Sequence, residues 1–357
     1  MQSIPQQLYD LPEALLGWYD RSARVLPWRS DPTAYHVWIS EIMLQQTRVS
    51  AVLPYYERFL RALPDAAALA AAEEGQLLKL WEGLGYYNRA RNLQKAARMV
   101  MEEFGGRFPE TYEEILKLPG VGEYTAGAVA SIAFGRRVSA VDGNVLRILA
   151  RITGDEGDIL DAKVKARFRG WVEEILPPAR CGDFNQALME LGAVVCVPNG
   201  APRCEDCPAA ALCRAKAEGA WERLPVKKKK APRRREELTV FVLLRGGEMA
   251  LRRRKDQGLL ASLWEFPNVP GTLDEAGAAD QLARWGLTVK AWRRQVRAKH
   301  IFTHVEWHMT GYVAEAAGEG PADFCWTGRD ALSRRAVPSA FSKMMDAARS
   351  ALAEEEA

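Results

Sequence analysis

Between Leu118 and Asn144 the chain reads LPGVGEYTAGAVASIAFGRRVSAVDGN, and no other stretch constrains its fold as tightly. Pro119-Gly120-Val121-Gly122 reads as a hairpin, because proline cannot continue a helix and glycine opens positive φ. Before it, Ile115, Leu116 and Leu118 recur at helical spacing from Tyr112. After it comes a small-residue helix with Thr125, Ala126, Gly127, Ala128 and Ala130, then a short apolar segment, Val138 to Val141. That segment leads to a carboxylate in a turn, Asp142-Gly143-Asn144. The unit is therefore helix, glycine hairpin, helix, and an acid delivered by a turn. Gly120 and Gly122 permit positive φ and leave backbone N–H groups uncovered at the second helix's N-terminus, where the dipole favours an anion. A DNA phosphate is one such anion, and it would be held for position, not for sequence. An ordinary helix–helix turn accounts for the hairpin equally well.

The 357 residues, 48% of them hydrophobic, suffice for two or three packed domains. A net charge of +3 hides an uneven distribution. Val226 to Arg235 (VKKKKAPRRR) is strongly basic, and the last five residues, AEEEA, are acidic and expected to fray. The basic run reads as a solvated linker that adds salt-dependent attraction for phosphate. Long apolar segments and a basic region leading into an apolar core are both lacking, so neither a membrane span nor a signal peptide is expected. Of six cysteines, four fall between Cys196 and Cys213. That clustering points to a metal site in a reducing compartment, which makes the expected location cytoplasmic.

Taken in order, the chain opens with an amphipathic helix around Leu11 to Tyr19 and a segment carrying Arg24, Trp28 and Arg29. Trp28 suits a buried anchor, and the two arginines are candidates to approach DNA. Tyr35 to Val49 (YHVWISEIMLQQTRV) reads as a helix with an apolar face, and Glu41 sits inside its apolar run. A carboxyl there would have a raised pKa, as a general acid near neutral pH requires; a helix-surface glutamate is the alternative. Leu77 to Leu93 reads as two helices about a Gly-Leu-Gly-Tyr86-Tyr87 turn. In Asn185 to Gly192, Ala187, Leu188 and Leu191 face a core and Glu190 is structural, while Gln186 is free to reach a ligand. The cysteines follow as C-x7-C-x2-C-x5-C at Cys196, Cys204, Cys207 and Cys213. Zinc and an iron–sulfur cluster both fit that spacing. Cys181 and Cys325 lie outside it and read as ordinary small residues. Beyond the linker the order is α+β. Strands are expected over Leu238 to Leu244, Met249 to Leu251, Val289 to Lys299 and Ile301 to Ala314. Helices are expected near Asp274 to Trp285 and Pro338 to Ala351.

These residues together resemble the helix-hairpin-helix glycosylases of base-excision repair, in which an aspartate follows the hairpin by about this distance. Trp38 to Val49, with Glu41 and the Gln45-Gln46 pair, is similar to the adenine-glycosylase branch, the MutY family. The likeness extends through Leu263-Trp-Glu-Phe-Pro267 and Pro338 to Phe341 to nearly the whole chain. It implies a multidomain protein. Residues 1–222 would form an all-α catalytic region, with the helix-hairpin-helix part at about 31–138 and the cluster-bearing part at 1–30 and 139–222. A basic linker, 223–237, would lead to an α+β Nudix-like lesion-recognition domain, 238–357.

The resemblance also assigns roles. Glu41 is the acid that protonates adenine, Asp142 stabilises the sugar cation, and Tyr124 and Asn144 orient them. Gln46 enters the base stack, Tyr86 wedges beside the damaged guanine, and Gln186 meets the flipped adenine. Gly120 and Gly122 hold a phosphate, and Arg24 and Arg29 face DNA. Phe302-Thr303-His304 stands where the family reads oxidised guanine with Phe-Ser-His. Bifunctional relatives carry a lysine where this chain has Tyr124, which implies a glycosylase without a strong lyase step. The four clustered cysteines would hold one [4Fe-4S] cluster, with Arg203 facing DNA, although one extra residue lies between Cys196 and Cys204. The glutamates of a Nudix hydrolase box are absent from Gly258 to Gly286, which implies a recogniser and not a pyrophosphatase. The implied partner is double-stranded DNA with adenine opposite 8-oxoguanine or guanine, bound by a monomer away from any membrane. The competing readings are a helix-hairpin-helix glycosylase for another mispair or lesion, and a mismatch-binding module without catalysis.

Overall fold

The computed structural model describes residues 3–228 and 232–356. The chain divides into two compact units: Met1–Ala71 with Asn92–Lys229, and Ala72–Arg91 with Lys230–Ala357. Residues 72–91, read from the sequence as part of the helical region, cluster with the carboxy-terminal unit. Among the described residues, no helix is long and apolar enough to cross a membrane.

The first unit is helical, and the glycine hairpin leads into its centre. Helix Glu123–Phe134 packs between helices Ala34–Leu44 and Cys181–Val194. Its small residues permit this, for Thr125 to Ser131 are buried in succession. At the hairpin, Gly120 has φ +79°, and a Cβ there would lie 2.6 Å from Asn92 Cβ, so glycine serves both conformation and space. Gly122 has φ −101° and does not use the freedom expected of it. The helix ends on Gly135 in the left-handed region. The extended segment that follows is pinned by fully buried Asn185. Its Oδ1 accepts from Ala140 N at 3.1 Å, and its Nδ2 donates to Val138 O and Ser131 Oγ, both at 2.9 Å. Asp142 then caps helix Gly143–Thr153. A core that draws Leu8, Leu11 and Leu15 together with Ile148, Phe168 and Leu188 supports this region.

The helix expected to run from Tyr35 to Val49 stops at Leu44, and the next begins at Val49. Gln46 lies in the break with φ +59°. It is therefore a corner residue and not part of a polar helix surface.

In the second unit, seven strands form one mixed sheet: β1 (Arg234–Arg245), β2 (Glu248–Arg253), β3 (Trp264–Glu265), β4 (Asn268–Pro270), β5 (Thr288–Ile301), β6 (Val305–Ala317) and β7 (Phe324–Thr327). The order is β3-β2-β1-β6-β5, with β4 on β1 and β7 on β2. Strands β1 and β6 are parallel, from Arg234 opposite Val305 to Leu244 opposite Glu315, and the remaining pairs are antiparallel. Alternation along β1 supplies two cores. Val240 and Val242 meet Phe341 and Met344 at one face, beside helix Ser342–Glu356. Phe241 and Leu243 meet Ala278 and Leu282 of helix Glu275–Arg284 at the other.

Two boundaries move from their expected places. Strand β1 starts at Arg234, so the end of the basic run belongs to the sheet; residues 229–231 of that run lie outside the described residues. The last helix reaches Glu356, where the acidic tail was expected to fray, and Ala357 lies outside the described residues.

Candidate active site

In the first unit a cleft of about 980 Å³ is walled by Leu26, Trp28, Val37, Ile132 and Met189. Its polar groups are Glu41, Tyr124, Asp142, Asn144, Gln186 and Gln46, brought from five separated segments of the chain. Glu41 is 6% exposed, and Tyr124 Oη donates to its Oε2 at 2.5 Å. Burial pushes the Glu41 carboxyl up to about 7; the Tyr124 hydrogen bond opposes that rise, and the nearby Asp142 charge adds to it. Tyr124 itself is raised well above the usual phenol, first by burial and then by the Glu41 and Asp142 charges, so it stays a donor. Glu41 is therefore the apolar-run carboxyl with altered proton affinity, and not a surface glutamate.

Asp142 Oδ1 accepts from Asn144 N at 2.8 Å and Val145 N at 2.9 Å, and its Oδ2 accepts from Asn144 Nδ2 at 2.7 Å. Burial raises its pKa and these donors oppose the rise. The helix N-terminus it caps adds a favourable dipole for its charge. Asn144 Oδ1 in turn accepts from Arg147 Nη2 at 2.9 Å. Gly192 makes room for this arrangement, because a Cβ there would lie 2.6 Å from Asn144 Cβ.

Arg24 and Arg29, expected to face DNA, are turned onto Glu190, which is 1% exposed. Arg24 donates to Glu190 Oε1 at 2.6 Å and Oε2 at 2.9 Å, and Arg29 Nη2 donates to Oε2 at 2.8 Å. Burial opposes ionisation of Glu190, but the two guanidinium groups outweigh it and hold its pKa below the usual carboxylate range. Arg29 Nε also donates to Gln186 Oε1 at 3.2 Å, which aims the rest of that amide at the cleft. Glu190, Asn185 and Arg147 thus position the site, and single-sequence reasoning missed their tasks. The available signals were a glutamate and an asparagine within NQALMELG, and Arg147 and Arg151 four apart in a helix whose surroundings are apolar.

Cys196, Cys204, Cys207 and Cys213 all border one apolar pocket with Ile148, Ile152, Leu191 and Val195. Burial pushes the Cys207 thiol up to about 11 and raises Cys204 and Cys213, with the neighbouring thiols adding to each rise. Such a group becomes thiolate only when positive charge is bound. Among the described residues, no set of three or more His, Cys, Asp or Glu side chains is arranged to hold a metal ion, which disfavours a lone zinc. Arg151 Nη1 lies 3.3 Å from Cys196 Sγ, and Arg147 Nε donates to Cys196 O at 2.9 Å. Arg203, expected to face DNA, donates instead to Val194 O and lies 3.8 Å from Asp206.

The second unit carries the remaining candidates. Tyr86 is 49% exposed and has φ +49°, after Gly83 and Gly85, which also have positive φ. Phe302, Thr303 and His304 make the turn between β5 and β6. Phe302 is wedged between His300 and Trp307, with ring centroids 4.5 and 4.8 Å away, while Thr303 and His304 are exposed. Arg233 Nε donates to Phe302 O, and Arg234 N to His304 O, both at 3.0 Å. The last residues of the basic run therefore brace the turn. Glu265, in the stretch where a hydrolase box would need free carboxylates, is buried against Arg252 and Arg254.

Comparison with known proteins agrees with this geometry. Residues 39–174 match the family described as HhH-GPD superfamily base excision DNA repair protein, and residues 239–347 match the NUDIX domain. The adenine DNA glycosylase of Homo sapiens is 36% identical, over 93% of this chain and 72% of its own length. That of Buchnera aphidicola subsp. Acyrthosiphon pisum is 34% identical, over 84% of this chain and 85% of its own. Among solved structures, a thermostable thymine-DNA glycosylase superposes with a TM-score of 0.54 at 30% identity, covering 60% of this chain and 98% of its own.

Proposed function

The chain belongs to the adenine DNA glycosylases of base-excision repair, and on that premise we propose that it hydrolyses adenine from duplex DNA where the base is mispaired with 8-oxoguanine or with guanine. Adenine inside a duplex is out of reach, so it must flip into the first unit's cleft, where apolar walls would cover its faces. Gln186, oriented by Arg29, would meet its edge. Glu41, protonated near neutral pH, would give its proton to N7 and make adenine a leaving group. The sugar then becomes oxocarbenium-like, and Asp142, fixed by three hydrogen bonds from Asn144 and Val145, would stabilise that cation. Water completes the reaction and leaves an abasic site. A phenol stands at Tyr124, where a lyase needs an amine, so no Schiff base forms there and the enzyme is monofunctional. Tyr86 and Gln46 would enter the base stack, and Phe302 to His304 would read the opposing guanine. Gly120 and Gly122 would take a phosphate at the helix N-terminus.

The four thiols fit one [4Fe-4S] cluster: they share a pocket, lack single-ion geometry and need bound positive charge. Cys196, Cys204, Cys207 and Cys213 would hold it. It would supply a crosslink that fixes the loop from 196 to 213, and it would lend no atom to the hydrolysis.

The observation that carries this reading is Glu41, buried, raised to about 7 and bonded to Tyr124 in the cleft that Asp142 shares. The test is single-turnover adenine release from duplexes with adenine opposite 8-oxoguanine, guanine and thymine. Fast, slower and absent release, in that order, is expected. Equal rates on the first two would remove the lesion-reading role, and no release from any would overturn the proposal.

A further inference from the structure

Within the second unit, the tyrosine turn and the β5–β6 turn meet at one point: Tyr86 Oη lies 3.1 Å from Thr303 Oγ1. Each partner is held from behind. The Tyr86 backbone is in a region that aromatic residues adopt only when their surroundings hold them there. Those surroundings are Trp81, whose Nε1 donates to Gly85 O at 3.1 Å, and Arg89, whose Nη2 donates to Leu84 O at 3.0 Å and to Gly85 O at 3.2 Å. The Arg89 guanidinium also lies over the Trp81 and Tyr86 rings, 5.3 and 5.6 Å from their centroids. Burial lowers its pKa to about 10, which still leaves it charged at neutral pH. On the other side, Phe302 is packed between two rings and Phe302 N donates to Val305 O at 2.8 Å. Thr303 therefore rides on a rigid turn, and its branched β-carbon restricts χ1.

The backbones are thus fixed, but the half-exposed Tyr86 ring still has its own χ freedom. What limits it is the hydroxyl pair. We propose that Thr303 is a positioning residue for Tyr86: its hydroxyl latches the ring in the orientation in which it enters the base stack, so that this side chain acts through the wedge and not on the edge of the guanine. Arg89 sets the turn and Thr303 sets the ring. The extra methyl of threonine, compared with serine, stiffens the latch by removing rotamers. This deepens the reading that Tyr86 is a wedge and depends on it.

The test is a double-mutant cycle in the full-length protein with Tyr86→Phe, Thr303→Val and the pair, together with Thr303→Ser and Tyr86→Ala. The probes are affinity for a duplex with a non-cleavable adenosine analogue opposite 8-oxoguanine, and base opening followed by 2-aminopurine fluorescence beside that guanine. Each single change should weaken binding roughly three- to ten-fold, the worth of one net hydrogen bond. The double variant should be no weaker than either single one, base opening should fall in parallel, and Thr303→Ser should restore most of both. Multiplicative losses would show that Thr303 acts on the lesion independently, which overturns the latch, and so would the absence of any loss. Tyr86→Ala separates the two levels. If it leaves binding and base opening intact, the wedge reading itself fails. If it abolishes them while the cycle shows independent effects, only the latch fails.

Discussion

Glu41→Gln tests the chemistry and the physics of the cleft together. The amide is nearly isosteric and its carbonyl still accepts from Tyr124, so packing is retained while the titratable proton is lost. An ordinary glutamate at 4.5 is raised here to about 7. A carboxyl raised on folding favours the native state fully below its unfolded pKa, and that contribution is lost as pH climbs through the folded value. For Glu41 the window is 4.5 to about 7, and the loss at alkaline pH is about 3 kcal/mol. The glutamine variant does not share it. Relative to wild type, the variant should therefore gain about 2.5 kcal/mol between about pH 5 and about pH 8.5 in urea unfolding of the catalytic unit. Single-turnover adenine release should fall in the variant by at least about 100-fold, as expected when a general acid is removed. In wild type the rate should fall as pH rises through about 7, since only protonated Glu41 can act. A stability difference that does not change with pH would refute the buried, raised carboxyl. Turnover within about ten-fold of wild type would refute the acid role.

Other perturbations follow from the same geometry. Tyr124→Phe removes the hydrogen bond that holds the Glu41 pKa down, so the alkaline limb of the rate profile should move to higher pH; an unchanged limb would separate the two groups. Gly192→Ala forces a Cβ to within 2.6 Å of Asn144 Cβ and should displace Asn144 from Asp142. The expected cost is about 1–3 kcal/mol in unfolding free energy, with a lower kcat and mispair affinity largely kept. Glu190→Gln leaves Arg24 and Arg29 without their shared anion and should destabilise the protein by about 3–5 kcal/mol, visible as an earlier melting transition. Cys207→Ser should abolish the visible absorbance of a bound cluster and lower stability, whereas Cys325→Ser should change neither.

The parts legible in the sequence are those governed by neighbours along the chain. The glycine hairpin, the cap at Asp142, the cysteine spacing and the β-strand alternation each depend on local φ preference, capping or period, and each lies where expected. Even there, local reasoning ran a turn too far past Leu44, because nothing in the residues near Gln46 announces its left-handed corner. The strand that begins at Arg234 was hidden for a related reason. A basic run looks like solvated linker until a parallel partner, β6, is set beside it.

What the sequence alone determined is the inventory: a helix-hairpin-helix unit with an acid behind it, a four-cysteine segment, and an α+β domain without a hydrolase box. What only the tertiary structure decided is the state and aim of each group. Glu41 and Tyr124 are 83 positions apart, and Arg24 and Glu190 are 166 apart. Proton affinity depends on how much water burial removes and on which donors remain nearby. Whether an arginine reaches outward or turns to a buried carboxylate depends on the same long-range packing. Spacing along the chain carries no record of either.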